Sequence, residues 1–164
     1  MYKLLVPILV LTAAVLTAWW TNVGRFNSSE LDLFSRIDAV LAEGPPSSSD
    51  IVREFRLPKS CMAKGCFFEA ARMTEAEHGG GNLRTSEDGL IFVLEQLRGR
   101  CIRADTAAKR FGPASIRQVC DHGGCWYIEA RRDWGHLSFG LKKPNSACVS
   151  SVVINSLRSQ RQAK

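Results

Sequence analysis

Six cysteines, Cys61, Cys66, Cys101, Cys120, Cys125 and Cys148, are the residues of this 164-residue chain best suited by type and spacing to do chemistry. Four of them form two Cys-x4-Cys pairs, Cys61 with Cys66 and Cys120 with Cys125, each with Gly before its second cysteine. Thiol–disulfide exchange favours the tighter Cys-x-x-Cys spacing. The wider loop suits a structural staple across a turn. A four-thiolate zinc site would require the two loops to meet, and it belongs to a reducing compartment. The compartment therefore decides between these readings, and the N-terminus indicates it. Residues 4–20, LLVPILVLTAAVLTAWW, carry no charge, and such a run is just long enough to span a bilayer. An even number of cysteines behind an export segment reads as three disulfides in an oxidising compartment, with no metal and no cofactor.

Histidine is sparse, at His78, His122 and His136. His122 stands beside Asp121 inside the second cysteine loop, and Lys64 stands inside the first. Asp121, His122 and Lys64 are the candidate binding residues: short disulfide-closed loops present polar side chains to a partner. Asp, His and Gly also suit a plain exposed turn. The loop Cys120-Asp121-His122-Gly123-Gly124-Cys125 resembles the inhibitory loop of the Ivy-type periplasmic lysozyme inhibitors, which has the same spacing. That resemblance implies a polar key inserted into an enzyme cleft. No nucleophile elbow, phosphate loop, paired metal-binding histidines or dinucleotide fingerprint is present, so no catalytic residue is expected.

The elements that position these residues begin with residues 1–20, read as an uncleaved signal anchor, a single-pass transmembrane helix. Tyr2, Trp19 and Trp20 flank the apolar run, as amphipathic rings do at headgroup layers. A cleavage site needs small residues at −1 and −3. Ala18 would put Leu16 at −3, a poor fit. No cysteine follows closely enough for a lipid anchor. The expectation is a bacterial inner-membrane protein with residues 21–164 in the periplasm. Nucleic acid is excluded as a partner of an exported domain. Residues 21–29 read as a polar linker.

Behind the linker the chain reads as two diverged repeats, residues 30–84 and 85–157, followed by a basic tail, 158–164. Ser28-Ser29-Glu30 and Thr85-Ser86-Glu87 each look like a helix cap. Apolar residues at helical spacing follow, and then Gly44 or Gly99. Asp50 and Asp105 look like caps of second, shorter helices ending at Pro58 and Pro113. Each cysteine loop then precedes two aromatics and Ala-Arg: Phe67-Phe68 to Ala71-Arg72, and Trp126-Tyr127 to Ala130-Arg131. The glycine-rich residues 75–81 read as a flexible loop. Residues 126–132, 137–142 and 148–154 read as strands. The fold class expected is α+β, with short helix pairs packed on an antiparallel sheet. Its core should include Leu33, Ile37, Val40, Phe55, Phe67, Leu90, Leu94, Leu97, Phe111, Trp126, Phe139 and Val152.

In residues 102–113 and the strands behind them, this pattern resembles the small domain of the BamE-type outer-membrane assembly lipoproteins. In tandem, it resembles the β-lactamase inhibitory proteins. The resemblance implies a protein-binding module rather than a catalyst. The repeat also reduces the fifteen possible disulfide connectivities. Local closure pairs Cys61 with Cys66 and Cys120 with Cys125, which leaves Cys101 for Cys148. Charge is divided along the chain. Residues 21–97 carry 8 basic and 12 acidic side chains, and residues 98–164 carry 13 and 4. The basic half could meet anionic headgroups or an acidic protein. The function expected is a membrane-anchored envelope module that binds a protein partner. The alternative is an inhibitor of a periplasmic enzyme such as lysozyme.

Overall fold

A computed structural model describes residues 26–73, 75–112, 114–118 and 126–157. The chain order is α1 (Ser28–Leu41), α2 (Ser48–Glu54), α3 (Cys61–Lys64), β1 (Cys66–Arg72), β2 (Ala76–Ser86), β3 (Gly89–Glu95) and β4 (Arg98–Gly99). It continues with α4 (Ala104–Phe111), β5 (Ala114–Gln118), β6 (Trp126–Arg132), β7 (Gly135–Leu141) and β8 (Val149–Asn155). One eight-stranded antiparallel sheet has the order β1-β2-β3-β8-β7-β6-β5, with β4 paired to β2.

The expected α+β domain of two repeated helix pairs is thereby corrected to a sheet-dominated fold. The decisive stretch is residues 85–99, expected to be a capped helix. Ser86 and Gly89 instead pair across a tight turn, and residues 89–95 run as β3. Leu90, Phe92 and Leu94 are buried while Ile91 and Val93 are half-buried. That alternation has the period of two that a strand requires. The residues that cap helices also make turns, and the Ile-Phe-Val run favours a pleated surface. Residues 75–81 are likewise no loop. Ala76 and His78 lie buried in β2, and the buried side passes from even positions to Leu83 across Gly79, Gly80 and Gly81. A Cβ on Gly81 would stand 2.0 Å from the Val93 carbonyl and 2.6 Å from the Phe68 ring, so this strand needs glycine there.

The first helix also starts earlier than expected. Asn27 caps it rather than a serine: its side chain accepts from Glu30 N, and Glu30 returns the bond to Asn27 N. Ser28 and Ser29 thus belong to α1, not to a linker. Leu33, Phe34, Ile37 and Val40 line its buried stripe. With Ile51, Val52 and Phe55, and with Ala107 and Phe111 of α4, they pack on Phe92, Leu94, Phe139 and Val152. The helices therefore lie on one side of the sheet. Nine of the twelve expected core residues are buried; Leu97 and Trp126 are partly so. Phe67 is the exception, 80% exposed. Adjacent residues on a strand point to opposite faces, and Phe68 takes the inward position, 6.0 Å from the Phe92 ring. Among the described residues no helix is long and apolar enough to cross a membrane. The expected anchor, residues 4–20, lies outside them.

Candidate interaction surface

The side of the sheet away from the helices is the candidate site. Register places Phe67, Asn82, Val93, Val153, Ser138, Glu129 and Ser115 in one row across seven strands. Ile91, Asn155, His136 and Arg131 form the row on one side; Ser151, Gly140, Tyr127 and Arg117 form the row on the other. Side chains alternate across a strand, so each of these stands opposite a core residue. Most are only partly buried, because no described helix covers them.

Phe67 is aimed by its neighbours. Disulfide Cys61–Cys66 closes the turn around α3 directly before it, with Cα atoms 5.0 Å apart. Gly65 has φ +69°, and a Cβ there would stand 2.3 Å from the Leu83 carbonyl. Phe68 and Cys61 fix the inner side of this corner, and Phe67 is left pointing out. Opposite Phe67, Asn82 is 8% exposed and its Oδ1 has no hydrogen-bond partner. A buried acceptor without a donor is costly.

The other end of the face is charged. The Glu129 carboxylate lies 3.2 Å from Arg131 Nε, 3.8 Å from Arg117 Nη1 and 3.8 Å from His136 Nδ1. The Glu129 side chain is 15% exposed, whereas Arg117 and Arg131 are 48% and 63% exposed. The carboxylate thus gathers Arg131 and Arg117, the latter cross-strand from Tyr127. An aromatic anchor at one end and arginines with a tyrosine at the other are the residue types enriched in protein interfaces.

Of the residues singled out from the sequence, Lys64 is exposed at the end of α3. Asp121, His122, Cys120 and Cys125 lie outside the described residues, and so does their expected bridge. The other two expected bridges are present, Cys61–Cys66 and Cys101–Cys148. Sequence reasoning missed the open face as a unit. The signal available was the aromatic pair Phe67-Phe68, since a strand must turn one of the two outward.

A concave cleft on the helix side, lined by Asp32, Ser35, Arg36, Arg53, Glu54 and Arg56, has mostly internal uses for its charges. Asp32 accepts from Arg36, Glu75 N and Ala76 N, and Arg53 pairs with Asp50 and Glu54. The Asp32 carboxyl is held below its usual range: burial opposes this, but those backbone and arginine donors outweigh it. Compared with known proteins, the chain matches no family model, no curated protein and no solved structure.

Proposed function

We propose that the chain is a membrane-anchored module of the bacterial envelope that binds a protein partner on the open face of its sheet. One observation carries the reading: a seven-strand face, uncovered by any described helix, presents Phe67 to solvent at one end and gathers Arg117, Arg131 and Tyr127 at the other. Half-buried Ile91, Val93 and Val153 extend the apolar part of this face beyond Phe67, and a contiguous patch rather than a single ring marks an interaction site. The disulfides fit an oxidising compartment, and the apolar residues 4–20 would tether the domain. The likeness to the BamE-type domain, a binding module, points the same way.

The test is photo-crosslinking from the full chain in its native envelope. A benzoylphenylalanine at Val93 or Val153 should crosslink to one protein, and the same probe at Leu31 or Asp38 on the helix side should not. Crosslinks confined to the helix side, or obtained only from a probe at His122, would overturn the open-face reading.

A further inference from the structure

We infer that the pole of the domain where α1 begins docks on anionic lipid headgroups through Arg98, Arg100, Lys142 and Lys143. This rests on the membrane-anchored reading above. The four residues form two pairs distant in sequence, Arg98 with Arg100 and Lys142 with Lys143, and both pairs flank one junction. Asn27 Nδ2 donates to the Cys101 carbonyl at 2.7 Å, and Cys101 is bridged to Cys148. Ala104 N donates to the Ala147 carbonyl, and Ser146 bonds back to Lys143 through both its amide and its hydroxyl. Arg98 and Gly99 pair with the start of β2, next to Glu75, whose carbonyl accepts from Ser29 Oγ.

All four cations are exposed, and none forms an ion pair among the described residues. The nearby acids only partly offset them. Glu30 is buried against Arg103, Asp105 pairs with Lys109, Glu77 stands opposite Arg98 in register but pairs with Arg72, and Glu75 is a single exposed carboxylate. Chain length fixes where this pole can be. Six residues separate Trp20 from Asn27, and at full extension they reach roughly 22 Å. An anchored chain must hold this pole near the headgroups. A negative leaflet attracts basic groups at about 1 kcal/mol each, a factor of about five, within a Debye length. The occupant is thus an anionic membrane surface rather than a second protein.

The experiment uses the full chain reconstituted in vesicles of phosphatidylcholine alone, or with roughly one-third phosphatidylglycerol. Acylation rates of single lysines are read by mass spectrometry. Lys142 and Lys143 should react about fivefold more slowly in the anionic vesicles, while Lys59 and Lys64 are unchanged. High salt, or Arg98→Gln with Arg100→Gln, should remove the protection. Equal rates of Lys142 and Lys143 in the two vesicle types would overturn the docking. Alkaline carbonate extraction separates the other failure: release of the chain refutes the anchor. The pole is then judged by salt-sensitive flotation with anionic vesicles, whose absence refutes it too.

Discussion

Two corners of the molecule are stapled by the same bond but organised in opposite ways. At Cys61–Cys66 the bridge spans five positions and Cys61 is 1% exposed; the disulfide shapes one turn and aims one side chain, Phe67. At Cys101–Cys148 the separation is 47 and both cysteines are exposed. That bridge does not stand alone. Arg103, two residues on, gives its amide, Nε and Nη2 to the Glu30 carboxylate, which is fully buried and also accepts from Asn27 N. Val149 N donates to the Ile102 carbonyl, and Arg103 bridges Cys148. A local staple positions a residue, whereas a long one closes a junction between the start of α1, the start of α4 and β8. The difference predicts where the chain tolerates reduction.

The largest effect should come from opening the long loop. In the loop-entropy picture a closure of this length contributes about 4 kcal/mol, against about 2 for the short one. Replacing Cys101 and Cys148 by Ser should lower urea stability by about twice the loss from replacing Cys61 and Cys66. Equal losses would show that burial of Cys61, not loop length, sets the scale. The Glu30–Arg103 pair comes next. Glu30→Gln replaces a charged acceptor of three Arg103 donors and should cost about 1–2 kcal/mol, since the half-exposed guanidinium can turn to water. Combined with the loss of the Cys101 bridge it should be non-additive, because the two share one junction; strict additivity in a double-mutant cycle would break the idea of a single junction.

Acid titration sharpens the same comparison. Burial opposes ionisation of Glu30, but the Arg103 side chain and the backbone amides of Arg103 and Asn27 lower its carboxyl below the ordinary 4.5. A depressed carboxyl stabilises above its unfolded value, so this contribution is lost as pH falls below about 4.5. His78, near the other staple, is lowered from 6.5 by burial, which the Gly80 backbone only partly offsets. The folded state resists protonating it, so stability declines as pH falls below about 6.5. Two acid steps are expected in the pH dependence of urea midpoints. His78→Phe should remove the upper step, and Glu30→Gln should shrink the lower, leaving the part that the depressed Asp32 carboxyl contributes. The smallest effect concerns Phe67: Phe67→Ser should change stability by no more than about 0.5 kcal/mol while abolishing crosslinking from Val93. A large loss of stability would mean that the ring is covered.

The legible parts of the sequence were those where one period dominated. Alternation in residues 126–132 and the valine-rich end gave β6 and β8 nearly to the residue, whereas the expected caps Asp50 and Asp105 lie inside their helices, whose N-caps are Ser47 and Arg103, because a carboxylate suits the first turn of a helix as well as its cap. Leu90 and Leu94 were assigned to the core on a helical argument and are buried on a strand, since spacing of four satisfies both periods. The β1–β2 corner was illegible for a different reason. Its glycines suggested a loop, and only pairing on both sides makes a strand of them. The open face could not be read at all, because a strand pattern tells which residues share a side but not which side the helices will cover.

The place of β8 in the sheet bears on the order in which the molecule is made. It comes last among the described strands, yet it lies at the centre, between β3 and β7. Val152 and Ile154 pair with Leu94 and Phe92 on one flank and with Phe139 and Leu137 on the other. Until residues 149–155 emerge during synthesis, two separate blocks each present an apolar, unpaired edge. The chain therefore passes through most of its synthesis without a finished core. It stays dependent on protection against pairing with its neighbours until its last strand inserts and joins the blocks.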